Sequence, residues 1–168
     1  MTLYTRMDSP LGELLLVGEE SATAPGGTAL ASVSVPGQKG GAVVRPEWVA
    51  DEEAFRVIAD QLRAYFAGDL TRFTLEFVAT GSEFQRRVWE VLDAVPYGGT
   101  VTYGEIAAKI GAPRGAARAV GTAVGSNPLS VIRPCHRVLG ADGSLTGYAG
   151  GLDRKQQLLA HEGVMPPA

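Results

Sequence analysis

The chain of 168 residues holds one cysteine, two histidines and two tryptophans. One cysteine excludes an internal disulfide and any centre built from several thiolates, such as a structural zinc site. No apolar run approaches the roughly 18 residues that a membrane-crossing helix needs. The opening residues, MTLYTRMDSP, lack the basic-then-apolar pattern of a secretory signal. These absences lead to the expectation of a cytoplasmic protein with no membrane partner. Charge of either sign is also in short supply, with 15 Lys/Arg against 18 Asp/Glu and a net of −3. The chain as a whole is therefore no polycation. With 45% apolar and 20% charged residues, it has the composition of a folded globular protein. Its length suits one ordinary domain or two small ones.

What is present is unevenly placed. The lone thiol, Cys135, is followed directly by His136 and flanked by Arg133 and Arg137. A thiol attacks as its thiolate, and cationic neighbours or an imidazole base lower its pKa. This setting points to a reactive thiol and away from a cysteine that merely fills a core. Pro134 bars Arg133 from the α region, so the chain enters the thiol in a stiff, extended conformation. Residues 1–81 carry six Lys/Arg against eleven Asp/Glu, and residues 82–168 carry nine against seven. Between 106 and 141 stand Lys109, Arg114, Arg118, Arg133 and Arg137, with no anion. Such asymmetry between halves fits a C-terminal half that meets a polyanion, and it fits an ordinary solvated basic face equally well.

The pattern of elements divides the chain near Thr80-Gly81. Before it, Leu3–Met7, Glu13–Val17 and Thr28–Val35 read as strands, the first two joined by Ser9-Pro10-Leu11-Gly12. Asp51–Ala67 reads as a helix capped by Asp51 and ended by Gly68, and Phe73–Val78 as a further strand. After it, Ser82 caps a helix that buries Phe84, Val88, Trp89, Val91 and Leu92 and breaks at Pro96. Thr102 with Glu105 forms a capping box for a short helix, 103–110. A Gly/Pro turn, 111–115, leads into a helix rich in small residues, Ala116–Gly125. Two short helices about a tight turn are a helix-turn-helix candidate. Val138-Leu139 and Leu145-Thr146 bracket a turn and predict a small hairpin or wing, and Asp153–Glu162 reads as the last helix.

In this order the pieces FQRRVWEVLDAVPYGGTVTYGEIA, GAARAVGTAVGSNP, PCHRV, GYAGG and LLAHEG resemble the O(6)-alkylguanine-DNA alkyltransferases, a family of suicide DNA-repair proteins. The likeness runs through nearly all of 82–168. It is looser before that, carried by DSPLG and RAYFAGDL. The resemblance implies an α+β chain: a small N-terminal sheet-and-helix domain, 1–80, then a helical C-terminal domain, 81–168, with a winged-helix-like helix-turn-helix. It implies that Cys135 accepts the alkyl group from the 6-oxygen of guanine, the 4-oxygen of thymine being a further candidate, in a single irreversible turnover.

The same resemblance assigns His136 as a water-linked base, Glu162 as the carboxylate that orients it, and Tyr103 as the phenol that assists departure of the guanine. Asn127 would tie the helix-turn-helix to the active-site loop. Arg118 would fill the gap left in the duplex, with Ala117, Gly121 and Thr102 as further DNA contacts. Ser130, Val138, Tyr148 and Ala149 would line the pocket, the carbonyls of Cys135 and Val138 accepting from the guanine amino group. The implied partner is double-stranded DNA bound through its minor groove by a monomer, with no cofactor and no metal. Two positions depart from the family's usual pattern: Ala149 replaces a common serine, and Arg133 stands where an apolar residue is usual. A non-catalytic DNA binder and a thiol hydrolase using Cys135 and His136 are the competing readings, although hydrolase partners ordinarily meet from distant segments.

Overall fold

A computed structural model describes residues 1–113 and 115–166. Arg114, counted above among the cations, therefore lies outside the described residues. The chain forms two compact units, Met1–Ala79 and Thr80–Ala168.

The first unit is built on a four-stranded sheet. Its strands are β1 (Thr2–Met7), β2 (Leu14–Glu20), β3 (Thr28–Ser34) and β4 (Val49–Ala50), in the order β3-β2-β1-β4. β1 and β2 pair antiparallel from Thr2↔Glu19 to Met7↔Leu14. Their turn closes with reciprocal Ser9 and Gly12 backbone bonds of 3.0 Å. β2 and β3 slip register at Val17/Gly18. A Cβ on Gly18 would come within 2.6 Å of the Ala29 carbonyl oxygen, so the bulge needs glycine there. Leu14, Leu16, Leu30 and Val33 from the strands and Phe55, Ile58, Leu62 and Tyr65 from the helical segment are all buried.

Two expectations for this unit are corrected. The helix α1 runs over Arg56–Phe66, preceded by a single 3₁₀ turn at Glu53–Phe55. Asp51 still caps, but it accepts from Ala54 N–H (3.1 Å) and so serves that turn. The stretch Phe73–Val78 forms no ladder. It makes one parallel bridge, Leu30↔Phe77, because the amide and carbonyl of Thr74 are taken by the side chain of Gln61 in α1 (2.9 and 3.0 Å). β4, parallel to β1, lies in a stretch that carried no strand signal.

The second unit packs α2 (Glu83–Asp93), α3 (Tyr103–Lys109), α4 (Ala117–Gly125) and α5 (Leu152–His161) with a two-stranded parallel pair, β5 (Val101–Thr102) and β6 (Val138–Leu139). Both expected caps form. Ser82 and Gln85 close a capping box on α2, and Thr102 and Glu105 close one on α3. Val88, Trp89, Leu92, Ile106, Val120 and Val138 make the centre of its core. The predicted hairpin after β6 does not form. β6 pairs with β5, Val101 opposite Val138, and 140–144 closes only on itself through Gly140 N–H to the Ser144 carbonyl (2.9 Å). Thr146, which the hairpin required, is engaged elsewhere: its hydroxyl bonds Tyr103 and its carbonyl bonds Lys155.

Candidate active site

The site grows out of the segment between α4 and β6. Asn127, buried beyond the end of α4, organises it. Its Oδ1 accepts from Leu129 N–H (3.0 Å), and its Nδ2 donates to the carbonyls of Leu129 (3.4 Å) and Arg133 (3.1 Å). Val131, buried and β-branched, sits at φ +72°, a region that costs such a residue on the order of 1–3 kcal/mol. Pro134 (φ −79°, ψ 59°) has the dihedrals of an inverse γ-turn, and Cys135 N–H closes it on the Arg133 carbonyl at 2.7 Å. The extended entry expected here is corrected: the chain reaches the thiol through this tight turn.

Cys135, His136 and Arg137 then form one 3₁₀ turn, and all three are buried. With about three residues per turn, their side chains leave the backbone in different directions. That separation corrects the electrostatic expectation. Burial pushes the Cys135 thiol up. The opposing influences are, in order, the Asn127 side chain, the charge of Lys155, a backbone hydrogen bond and the Tyr148 hydroxyl. Arg137 is turned away into a buried fork on Glu162, with Nε to Oε1 at 2.7 Å and Nη2 to Oε2 at 3.0 Å, and Nη1 donates to the Val95 carbonyl at 2.6 Å. Arg133 is turned onto Asp93. Two of the cations counted between 106 and 141 are thus consumed inside the unit.

Glu162, just past the end of α5, meets His136 as expected: Nε2 lies 2.7 Å from Oε2. Burial outweighs Glu162 and depresses the imidazole, so the ring is neutral at neutral pH. A carboxylate already paired with Arg137 fixes the tautomer, because it can only accept, and Nε2 must carry the proton. Nδ1 is therefore a free base. It is buried with no hydrogen-bond partner among the described residues.

Lys155, one turn into α5, is the group that sequence reading missed. It is fully buried, and its Nζ donates to the carbonyls of Thr146 (2.8 Å) and Gly147 (3.4 Å), tying α5 to the loop before Tyr148. Burial lowers its pKa to about 8, against the raising influence of Cys135. Thr146 also donates to the Tyr103 phenol oxygen (3.0 Å), which leaves the phenol proton for another acceptor. Tyr148 has a buried hydroxyl with no hydrogen bond within ordinary limits among the described residues, although Ser130 and Cys135 stand near enough to bias its titration. Burial first, then the Cys135 charge, pushes it well above the usual phenol range, so it stays protonated. Ser130 and Val138 are buried, and Ala149 is half-buried. The Cys135 carbonyl already accepts from Val138 N–H.

The helix-turn-helix residues lie apart from these in kind. Ala117 and Arg118 are exposed at the start of α4, and the Thr102 hydroxyl is occupied in its capping box. Gly121 faces the Tyr103 ring, which a Cβ would meet at 3.8 Å. That is an ordinary van der Waals distance, so a methyl group would fit there. Among the described residues no three His, Cys, Asp or Glu side chains group as metal ligands, and no helix is long and apolar enough to cross a membrane.

Comparison with known proteins places both units. The profile of the 6-O-methylguanine DNA methyltransferase DNA-binding domain matches residues 83–164, and that of the ribonuclease-like domain of the same proteins matches residues 2–79. The chain is 52% identical over 168 residues to the methylated-DNA–protein-cysteine methyltransferase of Mycolicibacterium paratuberculosis, covering 100% of this chain and 96% of the relative. A protein of the same name from Methanosarcina acetivorans is 48% identical over 160 residues, 95% of this chain and 97% of the relative. The solved structure of Mycobacterium tuberculosis OGT in complex with DNA superposes with a TM-score of 0.86 at 48% identity, covering 98% of this chain and 95% of that one.

Proposed function

The chain belongs to the 6-O-methylguanine DNA methyltransferase family, and from that premise we propose that it repairs DNA by moving the alkyl group of an O6-alkylated guanine onto its own Cys135. The observation that carries this reading is that the residue next to the lone thiol is a buried imidazole whose Nε2 is held by Glu162 and whose Nδ1 has no hydrogen-bond partner among the described residues. The damaged base lies inside the duplex stack and must be extruded to react, at a cost of a few kcal/mol. Binding in the minor groove puts α4 against the DNA, with Arg118 inserted where the base has left. The protein acts as a monomer. A nucleophilic thiol must stay reduced, which suits the cytoplasm.

In the pocket His136 takes the proton of Cys135, with water as the link. The thiolate sulfur attacks the alkyl carbon, a sulfur–carbon bond forms, and the carbon–oxygen bond to guanine breaks. The electron pair leaves on the guanine oxygen, where the phenol proton of Tyr103 meets it. Lys155 holds the 146–147 backbone and so sets the loop carrying Tyr148 and Ala149. The product is a thioether, and no second thiol exists to reverse it. Each molecule therefore reacts once. The test is the intact mass of the protein after mixing with a duplex oligonucleotide holding one O6-methylguanine. A gain of one methyl group per chain is expected, and binding without a gain would make the chain a lesion binder.

Arg118 gives a separable prediction. Arg118→Ala should slow transfer from duplex DNA by at least about tenfold, while transfer from the free O6-alkylguanine base changes little, because no stack has to open. Equal loss on both substrates would make Arg118 a structural residue.

A further inference from the structure

We infer that Arg133 is a positioning residue that braces the nucleophile turn against α2. The inference rests on the alkyl-transfer reading given above. The backbone of Arg133 is the hub of that turn. Its N–H donates to the Leu129 carbonyl (2.9 Å), and its carbonyl receives both Cys135 N–H (2.7 Å) and Asn127 Nδ2 (3.1 Å). Its side chain reaches the other way. Nε donates to Asp93 Oδ1 at 3.1 Å, and the guanidinium carbon stands 4.8 Å from the centre of the Trp89 ring. Nη1 approaches Asn127 Oδ1 at 3.5 Å, the far limit of a hydrogen bond. Trp89 is itself fixed, its Nε1 donating to the Ala123 carbonyl in α4 (2.9 Å). The side chain of Arg133 is only 12% exposed, so its charge is held by the protein and is not presented to phosphate.

A turn that stores strain at Val131 keeps its shape only while its surroundings over-determine it. The brace supplies such a constraint at the residue directly before Pro134-Cys135. It also places a cation beside the amide oxygen of Asn127, which polarises that amide toward the thiolate its side chain stabilises. Displacements well below 1 Å at a nucleophile are enough to slow a reaction measurably.

The experiment compares Arg133→Ala, Arg133→Lys, Asp93→Ala and the Arg133→Ala/Asp93→Ala pair with the parent chain. Transfer rate from an O6-methylguanine oligonucleotide, the pH at which Cys135 reacts with a neutral thiol reagent, and circular dichroism are measured for each. Arg133→Ala should slow transfer about tenfold and move the thiol titration to higher pH. Arg133→Lys should recover part of both effects. Asp93→Ala, a change at a half-exposed residue, should act in the same direction, and the pair should be no worse than Arg133→Ala alone. Unchanged rate and titration in Arg133→Ala, or single effects that add in free energy, would overturn the brace. If the parent chain itself transfers nothing, the alkyl-transfer reading fails, and the thiol titration of the variants still decides the brace.

Discussion

Cys135→Ser is expected to gain no alkyl group under conditions where the parent chain reacts completely, and to bind DNA nearly as before. The change alters one atom in a buried position and conserves volume, so packing is little disturbed. The chemistry is lost because a serine hydroxyl ionises far above any pH the protein meets, whereas a thiol near ~8.5 is within reach of a base. Burial makes even the thiol reluctant, so the proposed transfer calls on His136 as its base. Its imidazole is depressed by burial, so the base form persists through neutral pH, and the rate of the parent chain should fall only on the acid side of the ordinary histidine range. The same shift acts on stability. Between the depressed folded value and about 6.5 the unfolded chain binds a proton that the native chain refuses, so stability falls as pH drops through that window. Residual methyl gain in Cys135→Ser, seen by intact mass, would move the acceptor to another residue.

Much of the second unit was legible in the sequence, and the reasons are local. Ser82 and Thr102 announce their helices because a capping box needs only residues three apart. The small-residue run before Ser126 gives α4, and PCHR marks the nucleophile. What was not legible depends on partners distant in the chain. Lys155 reads as one more solvated charge in DRKQQLLAHE, and only the fold brings the carbonyls of Thr146 and Gly147 to it. Arg133 and Arg137 look like two cations flanking a thiol, yet Asp93, 40 residues away, and Glu162, 25 residues away, draw them off. The turn between Val138-Leu139 and Leu145-Thr146 that predicted a hairpin was overridden in the same way, because β5 offered β6 a parallel partner. Local signals thus gave the helices and singled out the lone thiol, and long-range ion pairs decided the electrostatics around it.

Arg137 is where the largest loss of stability is expected. Glu162 has no exposed side-chain surface, and it is held by both Arg137 and His136. His136 is neutral, so Arg137 supplies the cation that compensates the carboxylate. Removing one member of a buried pair leaves the other charge uncompensated, at about 3–5 kcal/mol. Arg137→Ala should therefore lower the melting temperature by on the order of 10 °C in a chain of this size, measured by circular dichroism, and should slow transfer, because the uncompensated Glu162 carboxylate then draws a proton onto His136. The loss should be greatest at neutral pH and shrink as pH falls, because a protonated Glu162 no longer needs a counter-charge. Adding Glu162→Gln to Arg137→Ala should return part of the lost stability for the same reason, while transfer stays slow, since the amide still leaves His136 without its carboxylate. A melting change of only a degree or two in Arg137→Ala, flat with pH, would mean that Glu162 reaches water and that the buried fork contributes little to either folding or the base.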